Sequence, residues 1–156
     1  MGKAINIWIN VALLIIALAL LSCNSMYRTP ILVVGGIGAA GKTYCDLEGR
    51  PAILIAPQVF ANEVNRILTL THEMVHVEQS RRMKGCWKMM ALYLENPDIR
   101  MKLEIEAFCA SNQVLVERYG LSRAEVTDSL VSVIKNAYQV PHDTAEIRRR
   151  IPCKED

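Results

Sequence analysis

His72-Glu73-Met74-Val75-His76 places two imidazoles four positions apart, with a carboxylate directly after the first. On a helix of 3.6 residues per turn, positions i and i+4 share a face, so both rings can turn a nitrogen toward one cation. Glu73 would then stand beside that cation, where a carboxylate can hold a water molecule and take its proton. Neutral nitrogen ligands, an adjacent base and one open coordination position are what zinc-dependent hydrolysis needs. In a chain with 3 histidines, random order would produce the pattern with a probability of about 0.4%.

A second pattern competes with it. Gly36-Ile37-Gly38-Ala39-Ala40-Gly41-Lys42-Thr43 fits G-x-x-x-x-G-K-T, a loop whose amides cradle phosphate, and Ile31 to Val34 supplies an apolar strand ahead of it. Its chance expectation, about 0.15%, is no higher, so context has to decide. A phosphate loop opens directly onto a helix, whereas Gly49 and Pro51 follow Thr43 too soon for one to be established. The glycine-rich stretch is therefore read as a turn or tether, and no nucleotide is expected as a partner.

Two histidines are not a site, because catalytic zinc takes three protein ligands. Downstream, Leu103-Glu104-Ile105-Glu106-Ala107-Phe108 offers two carboxylates in a helical context, and His142 is the third histidine. From Thr69 to Ser111, H-E-x-x-H followed by a helical Glu-x-Glu-Ala resembles the gluzincin-type zinc metallopeptidases. The resemblance implies that Glu104, three residues before Ala107, joins His72 and His76 on zinc, with Glu73 as the catalytic base. Glu106, roughly 200° around the helix from Glu104, and His142 are the alternatives. Small Ala107 would let the two helices approach closely.

The sequence also departs from that family. Phe108 stands where many gluzincins carry Asp or Asn to orient a histidine ligand. Gln79, nearly on the face of His76, is left to make such a contact, to touch substrate, or to be an exposed helix amide. Tyr93, Tyr119, Tyr138 and His142 each carry a group able to stabilise an oxyanion. An upstream strand, Ile53 to Ala56, would by analogy be the edge that binds an extended peptide.

The elements that must position these groups can be read from periodicity and punctuation. Ile31 to Val34 is a short strand, and Thr43 to Ala56 reads as strand, turn, strand around Gly49 and Pro51. Asn62 to about Met83 is helical and carries the histidines. A second helix runs from Pro97 and Asp98 to Tyr119, where Gly120 ends it. Ser122-Arg123-Ala124-Glu125 is a capping box that opens a third helix to about Ala137. Trp87 to Leu94 is apolar, fit either for core or for a groove wall. The expected fold is α+β and zincin-like: a small β-hairpin or sheet, an active-site helix and two further helices, over residues 31–140. Residues 141–156 are expected to be a polar, basic tail.

Composition limits the partners. The chain has 156 residues with 18 basic and 16 acidic side chains, a net charge of +2, which excludes nucleic-acid binding by bulk charge. Residues 1–22 begin Met1-Gly2-Lys3 and continue into the uninterrupted apolar run Val11 to Leu21, the pattern of a signal peptide or membrane anchor. Leu20-Leu21-Ser22-Cys23 resembles the bacterial lipobox, which implies a lipid on Cys23, a tether over residues 23–30 and a cell-envelope location. Export permits disulfides among Cys45, Cys86, Cys109 and Cys153, with three pairings open. The sequence thus leads to an exported, membrane-tethered zinc peptidase acting on a peptide or protein, peptidoglycan peptides included. The alternative is a zinc-binding scaffold lipoprotein without activity.

Overall fold

The computed structural model describes residues 29–36, 38–138 and 141–151. The expected signal or anchor, the Cys23 lipid site and Cys153 lie outside these residues. Among the described residues, no helix is long and apolar enough to cross a membrane. The fold is α+β, with a three-stranded sheet and five α-helices among the described residues.

Strands β1 (Ile31–Val33), β2 (Gly41–Cys45) and β3 (Pro51–Ile55) form a sheet of order β1-β3-β2. β2 and β3 are the expected hairpin, antiparallel with Thr43 opposite Ile53, while β1 lies parallel to β3 with Ile31 opposite Ile53. The turn is closed by Asp46, whose carboxylate accepts from the Arg50 backbone and guanidinium, with Gly49 at φ 75° supplying the left-handed residue. This order corrects one expectation: Ile53 to Ile55 is the central strand, not an edge. β2 is the edge on the helical side of the molecule.

After a 3-10 turn at Pro57–Ala61 come helices α1 (Glu63–Arg82), α2 (Cys86–Glu95), α3 (Pro97–Tyr119), α4 (Arg123–Ala137) and α5 (Thr144–Arg149). The caps are those the sequence carries. The Asn62 side chain accepts from the Asn65 amide to start α1. Asn96 accepts from the Asp98 and Ile99 amides ahead of Pro97 to start α3, and Gly120 ends it at φ 71°. The Ser122 to Glu125 capping box opens α4.

Two helices go beyond the sequence reading. α2 is not legible from the sequence, because a stretch apolar on nearly every side has no clear period. α5 replaces part of the expected tail: Asp143 caps it, and Ile147 is fully buried against α3 and α4. One apolar residue among arginines was enough to seat it. Arg148, Arg149 and Arg150 stay on the surface, paired with Asp128, Glu146 and Asp98.

The core divides into two clusters. Ile53, Ile55, Ala56, Val59 and Val77 join the sheet to α1, and Met101, Ile105, Leu130, Val131, Ile134 and Ile147 join α3, α4 and α5. α1 packs between them, touching the sheet on one side and α3 on the other.

Of the disulfide pairings open from sequence, Cys45–Cys86 is formed, tying β2 to α2 across a sequence separation of 41. Cys109 is also disulfide-bonded. Closing a loop of that length removes about 4 kcal/mol of chain entropy from the unfolded state. Replacing Cys45 and Cys86 together by Ala is therefore expected to lower unfolding stability by about 2–4 kcal/mol, read as a shift in the urea midpoint. An unchanged midpoint would show that the crosslink adds nothing to stability.

Candidate metal centre

The inward face of α1 is polar where a core helix would be apolar. Its buried residues are His72, Glu73, His76, Val77, Gln79 and Ser80, and buried polar side chains at this density need partners. α3 supplies the first. Glu104, 2% exposed, reaches across with Oε2 3.2 Å from His72 Nε2 and Oε1 3.5 Å from His76 Nε2. The two Nε2 atoms are 3.1 Å apart. Ala107, fully buried one turn on, keeps this face of α3 small enough for the helices to meet.

The donor set fits a metal ion. Ligand atoms about 2.1 Å from a common centre in tetrahedral array stand about 3.4 Å apart; here the two Nε2 atoms are 3.1 Å apart, Oε2 is 3.2 Å from His72 Nε2, and one ligand atom from each of the three residues lies within 4.8 Å of the others. Glu104 Oε2 is buried and, among the described residues, accepts no hydrogen bond, a lone pair left for a cation. The electrostatics agree. Burial alone would lower the His76 pKa, but the Glu104 carboxylate, with Gln79 and Glu73 adding, carries it above the ordinary imidazole value. Burial alone would raise Glu104, yet the close approach of the His72 and His76 rings holds it well below the usual carboxylate range. The pocket is built to hold positive charge between these three groups. His72, His76 and Glu104 could hold one metal ion.

Each of these groups is steadied from behind to a different degree. His76 Nδ1 lies 2.7 Å from Gln79 Oε1, so Gln79 accepts the ring proton and leaves Nε2 as the ligand nitrogen. The Gln79 amide is fixed in turn by donating to the Leu103 carbonyl at 2.9 Å and to Glu106 at 3.2 Å. Gln79 thus takes the contact role among its three expected ones. Glu106 is not at the triad; it joins Gln79 and Arg82. Tyr93 Oη donates to Glu104 Oε1 at 2.6 Å, and burial together with the Glu104 charge holds that phenol protonated, its pKa pushed far up. His72 has no such support. Its Nδ1 is buried without a partner among the described residues, and the Phe108 ring packs against the imidazole at 4.3 Å between centroids.

Glu73 is oriented by β2. Thr43 Oγ1 donates to Glu73 Oε2 at 2.8 Å, with the Glu73 carbonyl a further acceptor at 3.1 Å. Gly41 makes the approach possible: a Cβ there would stand 2.6 Å from Thr69 Cγ2, 3.0 Å from Glu73 Cγ and 3.1 Å from Glu73 Oε1. The Gly-Lys-Thr of the phosphate-loop pattern therefore lies in a strand, and two of its three residues shape the surroundings of Glu73. Gly41→Ala is expected to lower stability by about 1–3 kcal/mol, as overpacking does, measurable by urea unfolding. A neutral result would mean that β2 and α1 can part without strain.

His72, Glu73, His76 and Glu104 all line a cavity of about 600 Å³ between β2, α2 and Tyr138. Of the four groups considered for an oxyanion, Tyr93 is spent on Glu104. Tyr119 is exposed at the end of α3, and His142 lies 2.9 Å from Asp98 at the start of that helix. Tyr138 lines the cavity, and burial, then Glu104 and Glu73, push its pKa far up, so it stays a donor. Thr43 and Gly41 were missed from sequence, because nothing there signals contact between residues 30 apart.

An α+β fold with a buried His-His-Glu group able to hold a metal, and a carboxylate beside it, is the class defined here. No protein-family model, curated protein or solved structure matches the chain.

Proposed function

We propose that the protein is a zinc-dependent peptidase of zincin-like fold, with His72, His76 and Glu104 as zinc ligands and Glu73 as the catalytic base. The observation that carries this reading is the convergence of three ligand atoms within 4.8 Å of one another on a cavity that Glu73 also lines. When bound, zinc supplies Lewis-acid polarisation and lowers the pKa of water toward neutrality. Glu73, held at Oε2 by Thr43, keeps Oε1 to accept the proton of the attacking water and to return it to the leaving amine. Tyr138, protonated, donates to the oxyanion that develops on the substrate carbonyl. Two nitrogens and one carboxylate favour zinc over magnesium or calcium, which take oxygen ligands.

The edge of β2 beside this cavity, free among the described residues, supports a peptide substrate, since an extended chain can add to it as a further strand. The Cys45–Cys86 disulfide supports the exported, envelope location read from residues 1–23. One observation favours a second reading, a zinc-binding scaffold without activity: His72 Nδ1 meets Phe108 where an acceptor would steady it. The test of the metal site is the zinc content of the chain, purified without chelator or a metal-binding tag. About one zinc per chain, lost in His76→Ala, is expected. A folded chain without zinc would defeat both readings.

A further inference from the structure

α2 is apolar on nearly all sides, yet it is not enclosed. Cys86 and Met89 face the core, whereas Trp87 is 56% and Leu94 is 65% exposed. A helix apolar all round is ordinarily buried on every side, so the open side needs a reason. Trp87, Met90 and Leu94, spaced i, i+3 and i+7, all line the cavity that holds the triad. Scattered exposed apolar residues mean little, but exposed Trp87 and Leu94 with half-buried Met90 between them along one wall of a site mark a binding surface.

The geometry of the two walls says what lies between them. Among the described residues, β2 offers an unpaired strand edge, with Lys42 and Tyr44 on the face opposite Thr43. The disulfide fixes α2 against the end of β2 at Cys45, and Gly49 seats the Trp87 ring, which stands 3.2 Å from where a Cβ would be. Trp87 to Leu94 spans about 10 Å at 1.5 Å per residue. Side chains on one side of an extended strand recur about every 6.7 Å, so the wall accommodates two of them in succession.

We propose that the site takes extended polypeptide segments with apolar side chains at alternate positions, the apolar ones packing on Trp87, Met90 and Leu94. This rests on the peptidase reading for the chemistry, not for the docking. It also selects among substrates: a polypeptide with exposed apolar segments fits the wall, and the short, largely polar peptides of peptidoglycan do not.

The test measures binding, not turnover. The full-length Glu73→Gln chain in phosphatidylcholine nanodiscs is titrated with two blocked nonapeptides of equal charge, followed by fluorescence anisotropy. In one, leucine alternates with threonine between terminal glutamates; in the other, serine replaces each leucine. The leucine peptide is expected to bind at least fivefold tighter. Leu94→Asp and Trp87→Ala, both at exposed positions, are each expected to remove that preference without changing zinc content. A preference below fivefold, or one that both variants retain, overturns the proposal. So does failure of the leucine peptide to bind, the result if lipid covers this wall. His72→Ala separates the two readings, because the preference should persist in a chain that has lost its metal.

Discussion

Glu73→Gln is expected to abolish hydrolysis while leaving zinc content and the unfolding midpoint close to those of the unaltered chain. The substitution is nearly isosteric at a position only 5% exposed, so packing against Gly41 is retained. The amide oxygen can still accept from Thr43, as Oε2 does now at 2.8 Å. What disappears is the basic oxygen that, in the proposed mechanism, receives the proton from water. Loss of a positioned base lowers a rate by about 10²–10⁴-fold. Digestion of a mixed peptide library, followed by mass spectrometry with the zinc content of the same preparation, checks the prediction. Cleavage at the normal rate by a zinc-loaded Glu73→Gln chain would sink the peptidase reading and leave the scaffold.

Thr43 bears on the same experiment. A hydroxyl at 2.8 Å fixes one carboxylate oxygen of Glu73 and leaves the other to the cavity. In the variant, that fixed oxygen is the amide oxygen and the cavity receives an NH2 group, a donor only. The variant therefore blocks proton transfer without disturbing the strand-to-helix contact.

What could be read from the sequence divides by range. The histidines share a helix face because four residues make about one turn, and caps at Asn62, Asn96, Gly120 and Ser122 act within a few residues of themselves. These local features fixed the ends of α1, α3 and α4 to within a residue or so. The partnership of Glu104 with His72 and His76 came from a motif resemblance, not from spacing, and α3 does bring that carboxylate to the histidines. Strand order was not legible, because a hairpin specifies which strands pair but not where a third one joins; β1 took the far side of β3 and left β2 as the edge. α2 and α5 escaped for opposite reasons. One is too uniformly apolar to show a period, and the other is so polar that its single buried residue, Ile147, gave no pattern.

Removing the metal is expected to destabilise the chain, and Glu104→Ala to make it indifferent to metal. A ligand that binds only the folded state adds stability by mass action, about 4 kcal/mol at a thousandfold excess over its dissociation constant. The unaltered chain should therefore unfold at higher urea with zinc than with chelator. In Glu104→Ala, two histidine nitrogens remain with no carboxylate to complete the set, and the zinc-dependent shift should fall below about 1 kcal/mol. The same substitution leaves the buried Tyr93 hydroxyl without its acceptor, so the metal-free variant should also be weaker by about 1–3 kcal/mol. Glu104→Gln separates the two effects: its amide oxygen still accepts from Tyr93, but a neutral amide is a poor zinc ligand. If zinc shifts the midpoint of neither the unaltered chain nor the variants, His72, His76 and Glu104 form a hydrogen-bonded cluster whose positive charge is a proton on His76.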